Sequence, residues 1–111
     1  MLSTARQLAD SLQTFVKRPV HVEVWGVALP GSSDSVFEVE SIFAIGAGLQ
    51  IYLRSTPERP ASQLKVAQPQ RASVLDGRLE VGGAAYISWR GKNLPRAADK
   101  ETPALTFVRL A

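Results

Sequence analysis

The sequence predicts an α+β domain in which one N-terminal helix packs on a curved, mostly antiparallel sheet of about six strands. Apolar residues recur at steps of three and four up to Val16, as on one face of a helix. After Pro19 the pattern changes to alternation, which is typical of half-buried strands. Turns rich in glycine then separate the alternating segments. With 111 residues, the chain is expected to form a single domain over residues 1–111.

The N-terminal helix is predicted from an apolar stripe that ends shortly before a proline. Thr4 and Gln7 have the spacing of a capping box at the helix start. Pro19 restricts the residue before it and therefore ends the helix. Because a strand follows at once, we expect the stripe to cover the core of the sheet. The stripe consists of Leu2, Ala5, Leu8, Ala9, Leu12, Phe15 and Val16.

The strands are predicted from alternating residues and from the turns between them. Gly46 and Gly48 suit a tight turn, and Asp76-Gly77 is a strong signal for a type I′ turn. The Pro-rich segment 56–70 is predicted to be a mobile loop. Two arrangements are open: a cystatin-like open sheet, or a partly closed barrel with the helix at one end. The predicted strands are residues 20–28, 36–45, 49–55, a hairpin over 72–81, 84–90 and 104–111.

The first strand has a polar side that carries the only histidine of the chain. Valines alternate there with His21, Glu23 and Trp25, so these three side chains are expected to face outward. Outward residues of the next two strands should lie beside them. The predicted binding surface is His21, Glu23, Trp25, Glu38, Glu40, Tyr52 and Arg54.

Charge is unevenly distributed along the chain, whose net charge is +3. Residues 19–53 hold four acids and no Lys or Arg, whereas residues 54–111 hold ten basic and five acidic residues. Basic groups near aromatic rings are typical of nucleic-acid binding. Tyr86 and Trp89 are three residues apart, so one of them is expected in the core. The candidate nucleic-acid contacts are Arg71, Arg78, Tyr86, Arg90, Lys92, Arg96 and Lys100.

Catalysis and metal binding have weaker support than binding. The chain has no cysteine, which excludes disulfides and thiolate metal sites. A zinc site needs three or four ligands, and His21 is the only nitrogen ligand, so no metal and no cofactor are predicted. A small enzyme with a pocket around His21 stays as an alternative, and it requires polar groups that converge there.

The chain is expected to be cytoplasmic and to have no membrane partner. Its N-terminus lacks the basic region and the uninterrupted apolar run of a signal peptide. No window approaches the roughly 20 apolar residues that a membrane span requires.

The end of the second strand is apolar on both sides. Phe43 and Ile45 are expected to face inward, and Ile42 and Ala44 outward. An apolar surface that the chain does not cover itself favours self-association. The leading hypothesis is therefore a non-enzymatic binding module that forms a homodimer or binds another protein. A nucleic-acid-binding accessory protein is the alternative from another class.

Overall fold

The computed structural model describes residues 5–32, 35–97, 99 and 101–110, and it has the predicted α+β architecture. Within these residues, helix α1 covers Ala5–Leu12, and a 3-10 turn follows at Gln13–Phe15. Ten strands follow: β1 Pro19–Val24, β2 Val27–Ala28, β3 Val36–Ile45, β4 Gly48–Arg54, β5 Ser62–Ala67, β6 Arg71–Leu75, β7 Arg78–Gly82, β8 Tyr86–Trp89, β9 Lys92–Asn93 and β10 Leu105–Arg109.

The strands form one antiparallel sheet in the order β6-β7-β10-β1-β3-β4-β5-β8-β9, and β2 pairs with β1 beside this path. In the described part of the chain, β6 and β9 are the two ends of the order and do not pair with each other. The sheet is therefore open and is not closed into a barrel, which decides between the two predicted arrangements.

Helix α1 packs on the inner face of the sheet, as the apolar stripe predicts. Its buried side chains are Ala5, Leu8, Ala9 and Leu12, and its main contacts are with β3. In the turn after it, Phe15 meets Phe107 of β10 edge to face, with ring centroids 5.9 Å apart. The Nε2 of Gln13 donates to the carbonyl of Ile42 at 3.2 Å and ties this turn to β3. The predicted stripe residue Leu2 and the capping residue Thr4 lie outside the described residues.

The sheet curves until side chains from well-separated strands meet across the core. Phe37 of β3 and Trp89 of β8 pack edge to face with ring centroids 5.6 Å apart, although β4 and β5 lie between their strands. The Nε1 of Trp89 donates to the carbonyl of Pro30, just after β2, at 3.0 Å. Between β2 and the segment after β9 lies a small apolar cavity of about 110 Å³, lined by Val24, Val27, Ala28, Leu29, Pro30, Leu94 and Pro95.

A β-bulge in β3 reverses the predicted facing of that strand's second half. The register with β4 shifts between Val39 and Ser41, so Glu40 is an extra residue. Because side chains alternate, one extra residue exchanges the two faces beyond it. Ile42 is consequently buried and packs into the core, whereas Phe43 and Ile45 are exposed. The prediction that Phe43 and Ile45 face inward is therefore wrong.

Two further segments differ from the predicted strand boundaries. The first predicted strand, 20–28, breaks at a turn and becomes β1 and β2. The predicted loop 56–70 contains β5, whose Leu64 and Val66 alternate on the buried face between β4 and β8. Pro57, Pro60 and Pro69 lie outside this strand, so they permit its hydrogen-bonded ladder.

The bulge can be tested by one substitution on the buried face of β3 and one on its exposed face. Ile42→Ala removes buried methyl groups and is expected to lower the free energy of unfolding by about 2–5 kcal/mol. Ile45→Ala is the matched control, because Ile45 is exposed, and it should change that free energy by less than about 0.5 kcal/mol. Chemical denaturation of dilute protein measures both values. A larger loss for Ile45→Ala would place the strand in the unbulged register.

Candidate binding surfaces

The seven residues of the predicted binding surface lie on three neighbouring strands, β1, β3 and β4, and in the turn after β1. His21 and Glu23 face outward on β1, and the Nε2 of His21 lies 3.3 Å from a carboxylate oxygen of Glu23. On one side their neighbours across the ladder are Val108 and Thr106 of β10, and on the other side they are Val36 of β3 and Ala28 of β2. The other outward members of the predicted set lie on β3 and β4, on the other side of β1.

Trp25 is not on the outward surface, and this prediction is wrong. Its side chain is only 7% exposed and belongs to the hydrophobic core. Trp25 and Gly26 have φ of 52° and 79°, the left-handed pair that a type I′ turn between β1 and β2 requires. The alternation that predicts an outward Trp25 thus ends at Val24. The indole Nε1 of Trp25 is buried without a hydrogen-bond acceptor among the described residues.

The bulge residue Glu40 forms an ion pair with Arg54 of β4. Arg54 also donates to the carbonyls of Arg59, at 2.8 Å, and Pro57, at 3.4 Å. One guanidinium therefore links the bulge to the Pro-rich loop. Glu38 is opposite Arg54 in the ladder and is exposed. Beside this pair lies a cavity of about 220 Å³, lined by Pro19, Val36, Phe37, Glu38, Arg54, Ser55, Thr56 and Pro57.

Farther along the outer face, large apolar and aromatic side chains are left uncovered. Phe43 and Ile45 are 51% and 56% exposed. The ring of Phe43 meets that of Tyr52 edge to face with centroids 6.1 Å apart. The exposed Tyr86 lies beneath the Nζ of Lys65, 5.8 Å from the ring centroid. We call Phe43, Ile45, Tyr52 and Tyr86 the outer apolar patch.

The candidate nucleic-acid contacts are spread over several places. Arg78 pairs with Glu80 at 2.8 Å, and Arg90 lies over the ring of Trp89 and donates to Ser62 at 2.9 Å. Lys92 is opposite Trp89 in the β8–β9 pair, and Lys100 lies outside the described residues. Trp89 is buried and Tyr86 is exposed, as their spacing predicts. Of this set, Arg71 and Arg96 share the lining of one cleft.

Among the described residues, no group of three or more His, Asp or Glu side chains is arranged to hold a metal ion. Helix α1 is the one α-helix among the described residues. No helix in this part of the chain has the length and hydropathy needed to cross a membrane.

A comparison with protein-family models, with curated proteins and with solved structures finds no match to this chain. Function is therefore inferred from the geometry of these surfaces.

The ion pair between Glu40 and Arg54 is expected to be stronger than a fully exposed one. The side chains of Arg54 and Glu40 are 26% and 32% exposed, against 56% and 41% for Arg78 and Glu80. A double-mutant cycle with Glu40→Gln and Arg54→Gln should give a coupling energy of about 1 kcal/mol. The same cycle at Arg78 and Glu80 is the control and should give about 0.3 kcal/mol. Equal coupling energies for the two pairs would contradict the expectation that the Glu40–Arg54 pair is the stronger one.

Proposed function

We propose that this chain is a non-enzymatic binding module that self-associates as a homodimer through the outer apolar patch. The observation that carries the proposal is the exposure of Phe43 and Ile45, which the bulge turns away from the core. Burying such side chains lowers the free energy by about 25 cal/mol for each Å² of apolar surface removed from water. Scattered apolar residues need no partner, but a contiguous group of rings and aliphatic chains favours an interface.

The composition of the patch suits a protein partner. Its two tyrosines offer rings that can be buried and hydroxyls that can still hydrogen-bond, as interface aromatics do. The hydroxyl of Tyr52 already lies 3.4 Å from the side-chain amides of Gln50 and Gln63. Gln50 and Gln63 are neutral groups that can be partly desolvated at lower cost than charges.

Charge on the same face favours a second copy as the partner. Glu38 lies near the start of β3, and Lys65 lies opposite Gln50, beside the strand's other end. A two-fold axis that reverses the direction of β3 would bring Lys65 of one copy toward Glu38 of the other. An interface of this kind is isologous, so both copies gain the same contacts.

The alternatives have less support. A nucleic-acid-binding accessory protein would use the basic residues, but Arg71 and Arg96 alone share a described cleft. A small enzyme would need a pocket at His21, whereas the cavities described above are lined by other residues. A cytoplasmic location stays a prediction that the absence of cysteine supports.

The patch is tested by introducing a charge at its centre. Phe43→Glu places a charge inside the apolar surface that each copy would bury, and it is expected to convert the dimer to a monomer. Light scattering coupled to size-exclusion chromatography measures the mass over a range of concentrations. A wild-type chain that is monomeric throughout, or a Phe43→Glu variant that stays dimeric, would overturn the proposal.

Two control variants locate the interface. Leu75→Glu makes the same kind of change at an exposed apolar residue of β6, outside the patch, and should leave the dimer intact. The pair His21→Ala and Glu23→Ala removes the polar groups of β1 and should also leave the mass unchanged. Loss of the dimer in that double variant would instead assign the interface to the polar face of β1.

A further inference from the structure

A polar cleft lies on a different part of the molecule from the outer apolar patch. It is formed where the start of β6, the connection from β7 to β8 and the segment before β10 meet at Trp25. Its volume is about 440 Å³, within the range of small-molecule sites. The lining is Trp25, Gln70, Arg71, Gly83, Ala84, Arg96, Ala97, Asp99 and Thr102.

The two arginines of the cleft have no acidic partner among the described residues. The three ion pairs of that part of the chain use His21, Arg54 and Arg78. The acid in the lining, Asp99, is already engaged by its own turn. Its Oδ1 accepts from the backbone N–H of Glu101 at 2.8 Å, and its Oδ2 accepts from the hydroxyl of Thr102 at 3.4 Å.

An adjoining cleft of about 300 Å³ shares Arg71 and Thr102 and adds two more acids. One of them, Glu80, pairs with Arg78, which leaves Glu101 as the uncompensated acid there. The described lining residues of the larger cleft carry two positive charges and one negative charge. The cleft therefore favours an anion.

Both arginines already lie against other groups of the cleft before any ligand arrives, although their side chains are exposed. The guanidinium of Arg96 lies over the ring of Trp25, 5.3 Å from its centroid. Arg71 crosses the backbone of Gly82, where a Cβ would lie only 2.7 Å from the Arg71 Nε. Gln70 crosses Gly83 in the same way. Side chains that are already ordered lose less conformational entropy on binding, so this arrangement raises affinity.

We propose that the cleft binds a phosphate group through Arg71 and Arg96. A guanidinium offers planar, paired N–H donors that match phosphate oxygens, and two guanidiniums can neutralise a doubly charged group. The side-chain amide of Gln70 supplies further donors along the same lining. The phosphate belongs either to a small molecule or to a nucleic-acid backbone, and the cleft recognises the group that both share.

The indole N–H groups report on this site by NMR. ¹⁵N-labelled protein is titrated with inorganic phosphate, and with chloride at equal ionic strength as a reference. The Trp25 indole signal, assigned with a Trp89→Phe variant, should shift saturably with phosphate while the Trp89 signal stays in place. The absence of a saturable shift beyond that of chloride would overturn the proposal.

Matched arginine variants identify the ligands of the phosphate. Arg71→Gln and Arg96→Gln should each weaken binding by about tenfold, the effect of losing one charge-assisted contact. Arg90→Gln is the control, because Arg90 also lies over a tryptophan ring, that of Trp89, but does not line the cleft. Unchanged binding in both cleft variants, or equal weakening in the control, would overturn the assignment.

Two further titrations distinguish the sources of the phosphate. Either a single-stranded oligonucleotide or a nucleoside monophosphate should compete with inorganic phosphate for the Trp25 shift. Competition by the oligonucleotide that falls steeply with salt assigns the cleft to nucleic acid. Competition by the monophosphate alone assigns it to a small ligand, and competition by neither overturns the proposal. All titrations are repeated with Phe43→Glu, so failure of the dimer proposal leaves this test intact.

Discussion

The register of β3 is the constraint on which the rest of the structure depends. This strand pairs with β1 along its first part and with β4 along most of its length, so it joins the two halves of the sheet. The extra residue Glu40 exchanges the faces of everything beyond it. The helix consequently packs over Ile42, and Phe43 and Ile45 are left outside. The one extra residue in β3, and not the chemical type of that residue, thus gives rise to both the helix-covered core and the outer apolar patch.

Local patterns were sufficient for much of the fold. The amphipathic stripe predicts α1, and Asp76-Gly77, with φ of 52° and 75°, forms the left-handed pair of the predicted turn. The predictions from sequence are wrong where the pairing of the strands decides which face of the sheet a side chain lies on. No residue around Glu40 indicates a bulge, because apolar residues occur on both faces of the strand there. Trp25 is the exception that the sequence could have indicated, since a glycine follows it directly and permits a turn.

The candidate sites depend on contacts between residues far apart in the chain, and these contacts could not be predicted from the sequence. Pairing of His21 with Glu23 follows from strand alternation, but the meeting of Arg71 and Arg96 joins residues from separate loops. Gly82 and Gly83 predict a turn from their type alone. Their second effect, room for the side chains of Arg71 and Gln70 opposite them, appears only once β6 and β7 are paired. The charge imbalance of the chain's second half can be read from the sequence, but it does not predict which basic residues meet.

The curved sheet has a seam between the end of β2 and the segment after β9. Within the described residues no backbone ladder crosses it, and the junction includes the Trp89–Pro30 hydrogen bond, the Arg90 guanidinium against Gly31 and the side chains around a small cavity. Opening a ladder breaks a row of hydrogen bonds together, whereas parting this junction breaks few of them. The two ends of the sheet can therefore separate along this line while the paired strands stay intact.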